Sequence, residues 1–290
     1  MARKSIFDIL SDQNKIDKDV DRLDTLFLCS ALITDNINPI YKHGYALKDF
    51  VEEFCFQNWK NKGLFLGLYD FLESLDFEEY YNEALEGDIE AFLTVIEVIF
   101  NCWKMAELFV EQNDNFEFED QFYLLHDIME DLLSRYNHKA VYNAETEQLL
   151  VVEDKPEVTA VAEIIEPALA LELIRYNHHS MRGNIAQKKS ILTTLGAELE
   201  PRSKELAAIN SSLKDNIFFM LNNLNIRHNN CNPADKGKYK EYVAKMESSE
   251  LETWYDELYQ MLLLAFLELD QIERNPKIKE LKTNVVGGTN

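Results

Sequence analysis

Residues 88–103, DIEAFLTVIEVIFNCW, decide the fold class. Asp88, directly after Gly87, stands where a helix needs a side-chain acceptor for its first free N–H groups. Ile89, Phe92, Leu93, Ile96, Ile99, Phe100 and Trp103 then recur at the three- and four-residue steps of one helical face. Working outward, residues 45–62 set Leu47, Phe50, Val51, Phe54 and Trp59 near one face and stop at Gly63. A second aromatic-rich helix covers 64–86, and another runs from about Phe116 to Tyr136. With only 9 Gly and 6 Pro in 290 residues, a fold of many strands and tight turns is disfavoured. The expectation is an all-α fold.

The helical pattern breaks once. KAVYNAETEQLLVV (139–152) has two short apolar runs around a polar centre, the signature of a β-hairpin. Lys155-Pro156 follows as a linker, since Pro is tolerated in a helical first turn. The reading is therefore an acidic, aromatic-rich helical domain over 1–138, a hairpin and linker over 139–156, and a helical domain over 157–274. A tail over 275–290 is expected to be flexible. Within the second domain, helices are expected over 157–181 with a kink or a fresh start at Pro167, over 184–199, and from Pro201 to Ile226. The polar loop HNNCNPADKGKYK (228–240) comes next. A final helix opens at Ser249-Glu250-Leu251-Glu252, ends near Arg274, and is apolar on most faces between Leu258 and Leu269. No internal repeat appears.

Composition narrows the function. The net charge is −23, and residues 1–150 hold 31 acids against 12 bases while 151–290 hold 21 against 17. An acidic field repels phosphate, so any nucleic acid belongs to the second half. Cys29, Cys55, Cys102 and Cys231 are widely spaced and form neither a disulfide framework nor a zinc signature, which suits buried thiols in a reducing compartment. MARKSIFDILSDQNK (1–15) lacks the apolar core of a secretory signal. The longest apolar run, Met261 to Leu267, is too short to span a bilayer. A cytoplasmic protein with no membrane contact is expected.

Chemistry-bearing motifs are few. Asp17, Asp19 and Asp21 imitate a calcium loop, but its sixth and twelfth positions are Arg22 and Leu28 instead of Gly and Glu. Phosphate-cradling and metalloprotease motifs are absent, so no cofactor or metal is expected. Glu52/Glu53 and Glu78/Glu79 read as ordinary surface acids. The histidines say more. His178 and His179 lie in RYNHHSMR (175–182) between Arg175 and Arg182, and His228 follows Arg227 in LNIRHNN. An imidazole that titrates near neutrality can move a proton, and a guanidinium beside it can hold a phosphate, which together suit RNA scission. The competing reading gives His228 and its Asn neighbours the task of satisfying the backbone at a helix end.

FFMLNNLNIRHNN (218–230), the polar loop and the final helix resemble a HEPN domain, a helical family of prokaryotic toxins and antiviral systems; the likeness spans Phe218 to Asp270. That family sets an Arg four to six positions before a His at a helix end. The broader order over 115–272 resembles abortive-infection proteins of the AbiJ type, which act in phage defence. The resemblance implies a metal-independent ribonuclease, with Arg and His drawn from two subunits of a homodimer. Its catalytic set would be His228, Arg227 and Asn222 or Asn223. Asn229, Asn230, His178, His179, Arg175 and Arg182 would bind the substrate. Where the family keeps its Arg this chain has Asn222 or Asn223, so the motif is degenerate, and binding without cleavage stays open. The alternative is a non-catalytic interaction protein: a scaffold, an antitoxin-like partner, or an acidic mimic of nucleic acid.

Overall fold

The computed structural model describes residues 21–33, 45–114, 116–118 and 120–287. Asp17 and Asp19 of the imitation calcium loop lie outside them, as does the side chain of Cys29. The chain is all-α with one small β-hairpin, and it divides into two compact units, 1–154 and 155–290. By these bounds the first unit carries 33 acids against 12 bases and the second 19 against 17.

In the first unit, α1 (Arg22–Ile33) is followed by α2 (Leu47–Phe50), which continues as a π-turn (Val51–Cys55) and a 3-10 turn (Phe56–Asn58). Next come α3 (Leu68–Ser74), α4 (Phe77–Leu85), α5 (Ile89–Glu111) and α6 (Asp120–Arg135). The expected 64–86 helix is two helices, because Asp76 takes a left-handed conformation (φ 54°) between them. Asp88 caps α5 as expected, its Oδ1 accepting from the Ala91 N–H at 2.9 Å. Every residue named for the α5 face except Ile89 is buried. Around it Phe50, Phe54, Phe109 and Phe116 form an aromatic cluster with ring centroids 5.2–6.0 Å apart. Glu52 is not an ordinary surface acid. Its carboxylate accepts from the N–H groups of Leu68 (2.5 Å) and Tyr69 (3.3 Å), satisfying the start of α3.

The hairpin pairs β1 (His138–Asn143) with β2 (Gln148–Glu153), antiparallel, from His138 opposite Glu153 to Asn143 opposite Gln148. Two strands alone are marginal in water. Here α5 completes them. Buried Asn101 accepts from the Leu149 N–H and donates to the Leu149 carbonyl, both at 2.9 Å, and Glu97 accepts from the Val151 N–H at 2.6 Å. The free edge of β2 is thus satisfied by side chains, and Leu149 and Val151 join the first unit's core.

The second unit runs α7 (Pro156–Ala162), α8 (Pro167–Arg175), a 3-10 turn (His179–Met181), α9 (Ile185–Leu199), a 3-10 turn (Glu200–Arg202), α10 (Ser203–Ile209), α11 (Ser211–Asn223), α12 (Glu241–Ala244) and α13 (Ser248–Gly287). Of the two options at Pro167 the chain takes the fresh start, with Pro167 as the first residue of α8. The expected 201–226 helix breaks at Asn210, whose side chain caps α11 by accepting from the Leu213 N–H (3.0 Å) and reaches Glu268 (3.1 Å). α13 forms the spine of the core, with Tyr255, Leu258, Tyr259, Leu262 and Ala265 inaccessible or nearly so. It continues past Arg274 and through Pro276 to Gly287. A single Pro removes one internal bond, and the Lys-, Glu- and Leu-rich sequence that follows sustains the helix. Among the described residues no helix is long and apolar enough to cross a membrane. Cys55 and Cys102 are buried free thiols and Cys231 is a half-buried one.

Candidate functional site

α11 ends at Asn223, and the chain reverses at Asn225, held left-handed (φ 59°). The reversal is fixed from both sides: the Arg227 N–H reaches back to the Leu221 carbonyl (3.0 Å), and the Tyr255 hydroxyl of α13 donates to the Leu224 carbonyl (3.1 Å). The loop that follows is organised by Asn230, which is fully buried. Its Oδ1 accepts from the Asn225 N–H (2.8 Å), its Nδ2 donates to the Lys238 carbonyl (2.7 Å), and its own carbonyl accepts from the Lys240 N–H (2.8 Å). Asn230 therefore serves the loop itself, as buried amides must when water cannot reach them.

This places His228 and Asn229 on the outer side of an internally hydrogen-bonded loop, His228 half-buried and Asn229 exposed. Lys238 Nζ lies 3.3 Å from His228 Nε2. An ammonium can only donate, so the ring nitrogen accepts. Lys236, Lys238 and Lys240 are all exposed and have no carboxylate partner among the described residues. Lys238 is the residue the sequence reading missed. KGKYK lay in plain view, but only the back-fold through Asn230 brings its middle lysine to the imidazole.

Arg227 has a different occupation. Its Nη2 donates to the Gly196 carbonyl (2.7 Å), pairs with Glu200 (3.1 Å), and the guanidinium lies over the Phe218 ring at 5.3 Å. It clamps the loop to the C-terminal turn of α9, so its charge is already matched. Asn223 donates to the Phe219 carbonyl (2.8 Å), and Asn222 is half-buried on the same turn.

The remaining candidates lie elsewhere. Arg175, His178, His179 and Arg182 sit on the segment leading into the N-terminus of α9, whereas Arg227 meets its C-terminal turn; a helix of 15 residues separates these ends by about 22 Å. The His178 and His179 rings are 4.2 Å apart, His178 Nδ1 accepts from the Ser180 N–H (3.2 Å), and Arg175 pairs with Glu172 (2.9 Å). Beside them is a buried ionic network that the sequence did not announce. Lys188, 6 % exposed, holds Glu252 and Asp256 at 2.7 Å each. Tyr176 donates to Asp256 (2.8 Å), and the Gly183 N–H donates to Glu252 (2.7 Å). Burial works to raise the Glu252 pKa, but Lys188 and the Gly183 amide overcome it and hold it below its ordinary value. Burial first and Asp256 second push the Tyr176 hydroxyl far up.

A groove of about 580 Å³ opens on the other side of α11 from the Arg227 clamp, lined by Phe219, Met220, Asn223, Tyr242, Met246, Trp254 and Met261 among others. Comparison with known protein families, characterised proteins and solved structures returns no match to this chain.

Proposed function

We propose that the second unit acts on RNA through the Asn225–Lys240 loop, as a HEPN-like domain in antiviral defence of the abortive-infection type. One observation carries this reading: in a chain of net charge −23, three exposed lysines with no carboxylate partner among the described residues flank a half-buried histidine on a loop fixed from within. Such a patch suits a phosphodiester backbone. In the reaction, Lys238 turns from the His228 ring to the phosphate. His228 Nε2 then takes the proton of a ribose 2′-hydroxyl, the freed oxygen attacks the adjacent phosphorus, and the bond to the 5′-oxygen breaks as that oxygen takes a proton from water. Nothing in this scheme needs a metal. Asn229, exposed beside His228, supplies an amide for the backbone, and Asn222 and Asn223 frame the helix end. A homodimer through the C-terminal helices completes the reading.

The test is incubation of the purified protein with total RNA and tRNA in the presence of EDTA. His228→Ala should lower cleavage by at least about 10²-fold, the lower end for a general acid–base group. Equal cleavage by both proteins would overturn the role of His228. If neither protein cleaves and both bind RNA equally weakly, the second reading gains, a non-catalytic interaction protein. The specific observation in its favour is the 33 acids against 12 bases of the first unit, a surface suited to mimic nucleic acid towards a basic partner.

A further inference from the structure

α13 carries two unmatched features that complement each other. Near its start, Trp254 (42 % exposed) and Met261 form one wall of the groove, opposite Phe219 (63 % exposed) and Tyr242 (72 % exposed). Methionines and aromatics make a soft, adaptable wall of the kind that receives an amphipathic helix. Near its end, from Glu273 to Val286, every residue of α13 is exposed, yet Ile278, Leu281 and Val285 stand at the i, i+3, i+7 spacing of an apolar stripe. Leu264, 46 % exposed, lies between the two regions on the groove-facing side.

The charges divide the same way. Between Ser248 and Glu273, α13 holds seven acids and no base; from Arg274 to Gly287 it holds four bases and one acid. Glu252 and Asp256 are spent on Lys188, but Glu250 and Glu257 remain exposed beside the groove. Lys277, Lys279 and Lys282 flank the distal stripe and have no carboxylate partner among the described residues. Because α13 is continuous through Pro276, it carries its stripe away from its own groove; 27 residues separate Trp254 from Leu281, about 40 Å along the axis.

We infer that the occupant of the groove is the distal end of α13 from a second copy of this chain, in an antiparallel and reciprocal pairing. Bringing Leu281 of one copy to Trp254 of the other puts the two-fold axis beside Leu267 and Glu268 and seats both ends at once. Such an isologous contact closes at two copies and does not propagate. Each basic, apolar-striped end then lies along the acidic half of the other helix, so sign and polarity match together. This gives the homodimer of the proposed function its interface, and rests on that reading only in requiring two copies.

The test is sedimentation equilibrium on the full chain without RNA, so its outcome is independent of whether His228 acts on RNA. Wild type is expected to dimerise at micromolar concentration, more weakly as salt rises. Leu281→Lys should raise the dissociation constant by at least about two orders of magnitude, because each dimer buries that side chain twice. The exposed site should leave the circular dichroism unchanged. Lys279→Glu with Lys282→Glu should also give monomers, and mixing that protein with Glu250→Lys/Glu257→Lys should restore dimers. Trp254→Cys/Leu281→Cys should cross-link into covalent dimers on mild oxidation, beyond any wild-type background from native thiols. A monomeric wild type overturns the inference, and so does a dimer indifferent to both Leu281→Lys and Phe219→Lys.

Discussion

Replacing Lys188 by Met tests whether the second unit is held by ionic pairing or by packing alone. The methionine keeps the length and apolar body of lysine but removes the cation that holds Glu252 and Asp256 at 2.7 Å. Taking one partner from a buried pair costs about 3–5 kcal/mol. Here the lower part of that range applies, because the Asp256 side chain is 50 % exposed and water takes over its charge. Glu252, 17 % exposed, keeps the Gly183 N–H but loses its main counter-charge. Lys188→Met should therefore destabilise by about 3 kcal/mol at pH 7, read from urea unfolding followed by circular dichroism.

The sign of the pH dependence follows from Glu252. Its folded pKa lies below its ordinary value of 4.5, so its stabilisation is present above 4.5 and disappears as pH falls through the lower folded value. In the variant burial acts with less opposition, and the carboxyl prefers its proton. The gap between wild type and Lys188→Met should therefore narrow on going from pH 7 to pH 4. A gap under about 0.5 kcal/mol at pH 7, typical of a neutral surface change, would refute the reasoning, as would one that stays constant with pH.

Other substitutions probe other joints. Asn101→Ala leaves the N–H and carbonyl of Leu149 unmatched in the core, and should cost about 2–4 kcal/mol and release hydrogen-exchange protection across β2. Asn230→Ala should cost about 2 kcal/mol and free the Asn225 amide to exchange, while α9 and α13 stay protected. Arg227→Lys should lower the melting temperature despite keeping the charge, because an ammonium cannot hold Gly196 and Glu200 while stacking on Phe218.

The sequence displayed the long elements because their signals are local and repeated. The α5 face follows from spacing alone, and the 139–152 hairpin from two apolar runs around a polar centre. Breaks were harder to read. Asp76 and Asn210 interrupt apolar patterns that continue on both sides, and an isolated Asp or Asn in a helical pattern resembles a solvated surface residue until the left-handed backbone of Asp76 or the cap made by Asn210 is seen. The helix end expected near Arg274 errs in the other direction, since α13 runs through Pro276 to Gly287, where a proline on an exposed helix removes one bond without ending the element. At the candidate site, the polar loop and His228 stood out, but the tasks of its neighbours depend on contacts far along the chain. Arg227 is claimed by Gly196 and Glu200, and Lys238 reaches His228 only through the buried Asn230. Spacing rules carry no information on such tertiary partners.

The central claim, that RNA meets this protein at the Asn225–Lys240 loop, is tested most directly by ultraviolet cross-linking. Single-stranded RNA carrying 4-thiouridine would be bound to the full chain in EDTA, irradiated, and the modified peptides mapped by mass spectrometry. The expected result is cross-links within residues 225–245, reduced in Lys236→Ala/Lys238→Ala/Lys240→Ala and weakened by added salt. Cross-links confined to residues 21–154, or a yield in the triple variant equal to wild type, would contradict it.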